Sequence, residues 1–356
     1  MTVEDVNAII RPTRQELLEI AREVAYVLEA QHESWASVSY EHSTSFTDER
    51  LSDLSKIEPS IDLTLLTVIL TERLEACWKL QTAIADLLLG RNLYSAEMSV
   101  VALSRTIMEQ CATINWIFQS MCTHDEKGNF GIKCYDGELA ESHARALLVA
   151  TSDLKQASGS DKHIKKVFKD RLSLIEAEAE KHGYTFKKVL IKEKKGGGLE
   201  KFSTSNGIIQ FDPESDTRID AAYAISGGQF DGTFVPSIGS RVKTIGKELM
   251  PEAIGSALRG NPYYIFSTYS HNPVIAQMMS SRLEVDENGI ERYLLEFSEE
   301  PFAAILMQSV MLDSVSRLSY CLLGWDYSIL KEGHKALRKQ MSLVMPEIVP
   351  PETVED

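Results

Sequence analysis

Residues 94–119, YSAEMSVVALSRTIMEQCATINWIFQ, decide how this chain is expected to fold. The stretch is apolar around most of a helical circumference, and its middle carries one charge pair, Arg105 and Glu109. A surface helix shows a broad polar face, whereas a helix that is apolar nearly all round belongs in the interior of a bundle. The stretch therefore predicts a central bundle helix whose charge pair has to be explained.

Arg105 and Glu109 are four residues apart, so their side chains lie on the same face of a helix and can contact each other. At about 100° per residue, they share one arc with Met98, Ala102, Ala112 and Trp116. A buried charge without a partner costs several kcal/mol, so the pair is expected to have further partners in the chain. Two interpretations stay open: a structural ion pair (or an arginine that binds loop carbonyls), and a functional polar site.

The sequence on both sides of this stretch is also patterned for helices. Residues 62–89 form a second long apolar segment, and the link Gly90-Arg91-Asn92 leaves room only for a tight turn. Two long helices joined by so short a link pack as an antiparallel hairpin, here 62–119. Further helices are predicted at 12–35, 138–156, 161–182, 242–249, 251–280 (with breaks), 300–323 and about 327–342, while 36–60 is predicted to be a loop with room for a short turn of helix.

Two segments depart from the helical pattern. Residues 183–240 contain glycine doublets and a triplet, which predict a long irregular insertion in which 187–192 pairs as a strand with 207–211. Residues 282–297 predict a β-hairpin around Asn288-Gly289, because this dipeptide suits tight hairpin turns. We therefore expect an all-α helical bundle, built from 1–182 and 241–342, with a small β-hairpin, the insertion at 183–240 and a disordered tail at 343–356.

Composition narrows the function classes. The net charge of −15 disfavours broad electrostatic binding to nucleic acid or to an anionic membrane, although 161–201 is locally basic. The five scattered cysteines form no CxxC motif, and the histidines lack metal-ligand spacing, so neither a metal nor a cofactor is predicted. Charged residues interrupt the longest apolar runs, so no membrane partner is expected, and the cysteine usage favours the cytoplasm.

A second polar segment lies at 261–273, NPYYIFSTYSHNP. On a helix, Tyr264, Ser267 and His271 share one face, and Asn272 follows directly. A histidine among such neighbours can be a proton shuttle or a hydrogen-bonding hub, but it can equally be a structural residue bound by a backbone carbonyl or by Glu109.

A basic segment precedes the glycine triplet at 196–198. Lys194 and Lys195 stand directly before these glycines, which indicates either phosphate contact or a flexible loop. The segment lacks the spacing of a phosphate-binding P-loop, so the two interpretations stay open.

The hairpin ILTERLEACWKLQTAIADLLLGRNLYSAEMSVVALSRTIMEQCATINWIF, with its LxRxxxE pattern, resembles a family of uncharacterised bacterial helical proteins. The segments PSIGSRVKTIG and YYIFSTYSHN, the latter YxxxSxxxH-like, resemble that family's second signature. The resemblance implies that Arg105, Glu109, Tyr264, Ser267 and His271 line one internal polar site.

Such proteins are similar in outline to the HEPN superfamily, helical bundles that include RNA-cleaving toxins and defence proteins. HEPN nucleases carry an arginine a few residues before a histidine, and no arginine occupies that interval before His271. An approach of Arg105 from the other helix would restore the pair in space. The resemblance implies a cytoplasmic protein that binds or cleaves RNA in a stress or defence setting.

The expected site residues follow from this resemblance. Arg105, Glu109 and His271 would be catalytic, and the substrate would be bound by Tyr264, Ser267, Asn272, Lys194 and Lys195. The alternative is a non-catalytic module, oligomeric or partner-binding, in which the same polar residues are structural. Partners are accordingly expected to be RNA or further copies of the chain.

Overall fold

The fold is described from a computed structural model. The structure describes residues 14–42, 46–90, 93–124, 130–132, 136–157, 162–195, 199–203, 212, 214–249, 281–285, 291–295 and 300–344. Within this part of the chain most residues are helical, which confirms the predicted helical bundle with a small hairpin. The predicted helix at 251–280 and the predicted tail at 343–356 fall largely or wholly outside the described residues.

The helices lie close to their predicted positions. They are α1 (Arg14–Glu41), α2 (Asp48–Ile57), α3 (Leu63–Leu89), α4 (Leu93–Phe118), α5 (Asp136–Ala157), α6 (Lys162–Lys181), α7 (Ile238–Leu249), α8 (Glu300–Leu323) and α9 (Ser328–Val344). Among the described residues, no helix combines the length and the apolar character that a membrane span requires.

The loop predicted at 36–60 is wrong. Helix α1 continues to Glu41, and α2 follows after a short connection. Asp48 and Glu49 lie in the first turn of α2, where negative charge is favourable near the helix N-terminus. Leu54 is fully buried and anchors this otherwise polar helix. A single anchoring residue gives too weak an apolar period to be recognised among serines and acidic residues.

Helices α3 and α4 form the predicted antiparallel hairpin. Arg73 Nη1 on α3 donates a hydrogen bond of 2.6 Å to Gln110 Oε1 on α4, and these two residues are about equally far from the turn. The thiols of Cys77 and Cys111 also meet between the helices, and burial raises the pKa of Cys111 well above its ordinary value. The two helices are therefore in contact along a shared buried seam.

The chain forms two compact units that interleave along the sequence. Unit 1 comprises Met1–Thr47, Thr71–Ile114 and Val242–Asp356. Unit 2 comprises Asp48–Leu70 and Asn115–Arg241.

In unit 1, α1 and α9 approach each other closely at Gly333. A Cβ atom at this position would lie 2.6 Å from Cγ of Gln31, which is closer than van der Waals contact allows. On the next turn of α1, Trp35 stacks on Trp78 of α3 with ring centroids 6.1 Å apart. Glycine is therefore needed at position 333, because any larger residue would collide with the Gln31 side chain that packs against α9.

Gln31 takes part in a buried polar network within unit 1. Gln81 Nε2 donates to Gln31 Oε1 (2.9 Å), and Gln31 Nε2 donates to Nδ1 of His334 (3.1 Å). Because Nδ1 accepts, the neutral ring carries its proton on Nε2, which lies 3.3 Å from Asp313 Oδ1. Arg338 approaches the other oxygen of Asp313 at 3.5 Å. Burial lowers the pKa of His334, and Asp313 opposes this only in part.

Unit 2 combines α5 and α6 with a three-stranded antiparallel sheet in the order β4-β3-β5. The strands are β3 (Thr185–Lys194), β4 (Leu199–Ser203) and β5 (Asp216–Ser226). The predicted strand at 187–192 lies inside β3. Its partners are β4 and β5, and the expected partner 207–211 lies outside the described residues.

Residues 183–240 are thus more regular than the predicted insertion. Val189 and Ile191 alternate along β3 and are buried against Ala222, Ala224 and Phe234. Leu190 lies between them and lysines flank the run, so the two-residue period of a half-buried strand is not visible in the sequence.

Two short hairpins complete the described structure. Strands β1 (Cys122–His124) and β2 (Phe130–Ile132) pair antiparallel in a segment for which no strand was predicted. Strands β6 (Ser281–Val285) and β7 (Glu291–Leu295) pair with Ser281 opposite Leu295, which confirms the hairpin predicted at 282–297.

Replacement of Gly333 tests the close approach of α1 and α9. Gly333→Ala should lower the free energy of unfolding by about 1–3 kcal/mol through overpacking, offset by up to about 1 kcal/mol of helix propensity. In a Gln31→Ala background the Cβ has room, so the same substitution should be neutral or stabilising. Urea denaturation of the wild type, the two single variants and the double variant gives the free energy of unfolding of each. An equal loss of this free energy for Gly333→Ala with and without the Gln31 side chain would contradict the contact.

The His334 network predicts a pH dependence of stability. The folded ring stays neutral while the unfolded ring, with its ordinary pKa of 6.5, takes up a proton. The unfolded state then binds more protons, so the free energy of unfolding should fall as the pH decreases below about 6.5. His334→Gln should flatten this slope in urea titrations between neutral pH and pH 5. An unchanged slope would show that His334 does not titrate as its burial requires.

Candidate functional site

The predicted contact between Arg105 and Glu109 is present on α4. Arg105 Nε donates a hydrogen bond of 2.9 Å to Glu109 Oε1. The two side chains are 17% and 24% exposed, so the pair is neither fully buried nor fully solvated, and both residues have further interactions. The ion pair therefore lies at an accessible edge of an otherwise apolar helix.

The surroundings of the pair follow the predicted helical arc. Met98 and Ala102, on the same arc, are exposed and half-buried, respectively. On the side of α4 away from the pair, Ile107 and Cys111 are fully buried, and so is Ala112 on the pair's own arc. One face of α4 thus packs in the interior, and the other presents an arginine and a glutamate to a partly open environment.

The second half of the predicted site lies outside the described residues. This applies to Tyr264, Ser267, His271 and Asn272. The proposed approach of Arg105 to His271 therefore stays a prediction.

Lys194 and Lys195 belong to unit 2, whereas Arg105 and Glu109 belong to unit 1. Lys194 ends β3, and its Nζ lies 3.6 Å from Glu200 Oε2 on the neighbouring strand. The backbone N–H of Lys195 donates to the carbonyl of Ser215 (2.8 Å), and its side chain is exposed. The register of the sheet shifts between Glu193 and Lys194. The two lysines are therefore held at an ordered strand end.

A further polar cluster was missed in the sequence. It consists of His143 on α5, Glu178 on α6 and His182, which follows the last residue of α6. Glu178 Oε1 lies 3.3 Å from His182 Nε2 and 3.7 Å from His143 Nε2. His143 is 1% and Glu178 3% exposed, whereas the His182 side chain is 16% exposed. We call these three residues the His143 cluster.

The charge of Glu178 is stabilised by three donors. Its Oε1 accepts from the backbone N–H of Asp62 (3.2 Å) and contacts His182, while Lys181 Nζ donates to Oε2 (2.6 Å). Burial acts to raise the pKa of Glu178, but these hydrogen bonds outweigh it and hold the pKa below its ordinary value. Glu178 is therefore an ionised carboxylate in a nearly water-free position.

His143 is buried in its neutral form. Burial, and then the neighbouring His182, lower the pKa of His143 to about 4, against the opposing charges of Glu178, Asp62 and Glu58. Its Nε2 atom makes no hydrogen bond to the part of the chain that the structure describes. A buried polar atom without a partner costs about 1–3 kcal/mol, so this nitrogen calls for an explanation.

The ring of His182 is positioned by the start of β3. Tyr184 stacks on it with centroids 5.8 Å apart and planes inclined by 17°. Gly228 lies against Tyr184: a Cβ at this glycine would be 2.5 Å from the tyrosine ring, and its φ of +67° is unfavourable for other residues. The backbone at Gly228 thus fixes Tyr184, and Tyr184 fixes His182.

Part of this cluster could have been recognised from the sequence. Glu178 and His182 are four residues apart and therefore share a helical face. His143 lies far away in the sequence, and only the packing of α5 against α6 brings it to the other two residues. The signal in the sequence is the Glu-x-x-x-His spacing of residues 178–182, which has one histidine and therefore differs from the two-histidine spacing of zinc motifs.

No protein-family model, curated protein or solved structure matches this chain. The resemblance of the α3–α4 hairpin and of the His271 segment to a known family therefore stays a prediction. Function has to be argued from the residues of the site, because a fold by itself does not define an activity.

The support of His182 can be tested with two glycines in left-handed conformation. Gly228→Ala should cost about 1–2 kcal/mol for its positive φ and about 1–3 kcal/mol more for the contact with Tyr184. Gly183→Ala is the matched control, because Gly183 has φ +72° but no atom within 4 Å of its ideal Cβ. Urea denaturation should show the larger loss for Gly228→Ala, and equal losses would contradict the contact.

Proposed function

We propose that this chain acts on RNA, binding it and cleaving it with Arg105, Glu109 and His271, in a stress or defence setting. The observation that supports this proposal is the Arg105–Glu109 pair, which is 17% and 24% exposed on a helix that buries Ile107 and Cys111 completely. A purely structural ion pair has no need of access to solvent. An arginine that contacts the phosphate of a substrate needs such access.

The chemistry assigns one role to each of the three residues. Cleavage of RNA through its 2′-hydroxyl needs a proton acceptor and a cation at the phosphate that becomes more negative in the transition state. Arg105 supplies the cation, since its guanidinium stays charged at all relevant pH values. Glu109 orients it by accepting from Nε. His271 accepts the 2′-hydroxyl proton as that oxygen bonds to phosphorus, the bond from phosphorus to the 5′-oxygen breaks, and the histidine returns the proton to the leaving 5′-oxygen.

Binding of the RNA chain is assigned to lysines of unit 2. Lys166 and Lys169 on α6 and Lys187 on β3 are exposed and lie in the one clearly basic region of the sequence. Such lysines contact phosphates without regard to sequence, so the binding should weaken steeply with salt. The overall charge of −15 makes a local basic region necessary for any nucleic-acid contact.

A second candidate function is a non-catalytic module that binds a protein partner or another copy of the chain. The observation in its favour is that Arg105 is already paired with Glu109, and Lys194 with Glu200. In this case the paired charges serve the stability of the fold.

Cleavage of a labelled single-stranded RNA by the full chain distinguishes the two functions. His271→Ala should lower the rate by about 10²–10⁴-fold, as expected for loss of a general base, and Arg105→Gln should lower it comparably, both at unchanged Tm. Arg145→Gln is the matched control: it breaks another half-buried Arg–Glu pair, that with Glu141, and should leave cleavage unchanged.

Binding of RNA is measured separately from its cleavage. Lys166→Gln combined with Lys169→Gln should weaken RNA binding and reduce its salt dependence without changing the intrinsic cleavage rate. If the wild type neither binds nor cleaves RNA, and Arg105→Gln lowers the Tm, the second function is supported and the first is excluded.

A further inference from the structure

The His143 cluster has a feature that its present contacts do not explain. His143 Nε2 is buried, lacks a hydrogen bond within the described part of the chain, and is directed at the carboxylate of Glu178 from 3.7 Å. Two imidazole nitrogens and a carboxylate oxygen thus converge on one small volume. All three ligand atoms lie within 4.8 Å of one another.

We propose that His143, Glu178 and His182 bind a divalent transition-metal ion of the zinc class and leave one coordination position open. This site is independent of the proposed action on RNA, because it uses none of the residues assigned to that function. Among the described residues it is the one group of three or more potential ligands with this geometry.

The distances fit a tetrahedral ion. Ligands at about 2.0–2.1 Å from zinc place neighbouring donor atoms about 3.4 Å apart. The distances of Glu178 Oε1 from His182 Nε2 (3.3 Å) and from His143 Nε2 (3.7 Å) are close to this value. The ligand atoms of the two histidines lie within 4.8 Å of each other, so metal binding has to bring them closer together. Their ring centroids are already 5.1 Å apart, with the planes inclined by 68°.

The donor set selects the class of metal. Imidazole nitrogen with a single carboxylate suits zinc, cobalt or a related transition metal. Calcium and magnesium need more oxygen ligands than the cluster provides. Three protein ligands with a fourth position open is a known arrangement for zinc sites that keep a bound water.

Nearby carboxylates are already engaged and do not complete the ligand set. Asp62 Oδ1 accepts the backbone N–H of Leu65 at the start of α3, and Glu58 Oε1 accepts from the hydroxyl of Ser60. Both act on His143 through their charge and therefore favour a cation nearby. The backbone N–H of Asp62 would hold Glu178 in place from outside the ligand set, as outer-sphere hydrogen bonds do in metal sites.

Two changes accompany binding. Lys181 has to leave Glu178, which is easy because the lysine side chain is 67% exposed. His182 has to offer the lone pair of Nε2 to the metal and carry its proton on Nδ1. His182 is also the most exposed of the three ligands, so the ion and its water enter from that side.

The test is Zn²⁺ binding to the full chain after treatment with a chelator. Titration against a chromogenic zinc indicator should give one ion per chain, and Co²⁺ should give the visible absorption of a tetrahedral site with nitrogen and oxygen ligands. His143→Asn, Glu178→Gln and His182→Gln should each weaken binding by about 100-fold or more, because even loss of an outer-sphere partner costs 10–100-fold.

Two variants on the same helix turn sharpen the test. Glu180→Gln removes an exposed carboxylate two residues from Glu178 and should bind Zn²⁺ as the wild type does. Lys181→Met removes the competing cation and should bind Zn²⁺ more tightly. Far-UV circular dichroism shows whether each variant is folded. If the variants at the buried ligands do not fold, His182→Gln, at the most exposed ligand, is the variant that decides the test.

The proposal is overturned if the chelator-treated wild type binds no stoichiometric Zn²⁺, or if His182→Gln and Glu180→Gln bind it equally well. Lys181→Met binding Zn²⁺ more weakly than the wild type would also contradict it. None of these outcomes depends on RNA cleavage.

Discussion

The antiparallel packing of α3 against α4 is the interaction on which the rest of the structure depends. Both helices supply residues to both compact units, because the division of the chain falls at 70/71 within α3 and at 114/115 within α4. Their apolar surfaces cannot be satisfied by one neighbour, so each helix is covered by other elements on several sides. The charge pair of α4, Arg105 and Glu109, therefore lies on the partly exposed face of this helix.

Both units bury ionisable groups, and nearly all of these groups have partners. Asp313 has Arg338 and His334, and Glu178 has Lys181, His182 and a backbone N–H. This follows from the cost of an isolated buried charge. The ring nitrogen of His143, like Nε2 of His334, makes no hydrogen bond within the described chain, but it also belongs to a group of three potential metal ligands. For this reason the His143 cluster, which no motif indicated, is a stronger candidate for ligand binding than its sequence context suggests.

The sequence predicted secondary structure correctly where an apolar pattern extends over many turns, and incorrectly where the patterned segment is short. The helices of the α3–α4 hairpin carry more than six turns each, and their positions agree within a residue or two with the predictions. Helix α2 has one fully buried residue among polar neighbours, and β3 has only a short apolar run, Val189-Leu190-Ile191, between lysines, so neither pattern stands out. Similarly, the ion pair of Arg105 and Glu109 follows from their spacing alone, whereas its partial exposure depends on what covers α4.

The sequence by itself determined that this chain is a helical bundle with a central hairpin, because helical period and turn length are local properties. It also determined which residues of α4 share a face. Only the tertiary structure decided that His143 meets Glu178 and His182, because α5 and α6 must pack before residues far apart in the chain can converge. Likewise, only packing decided that Gly333 faces Gln31 and Gly228 faces Tyr184, since the close approach of a glycine backbone to a distant side chain leaves no periodic trace in a single sequence.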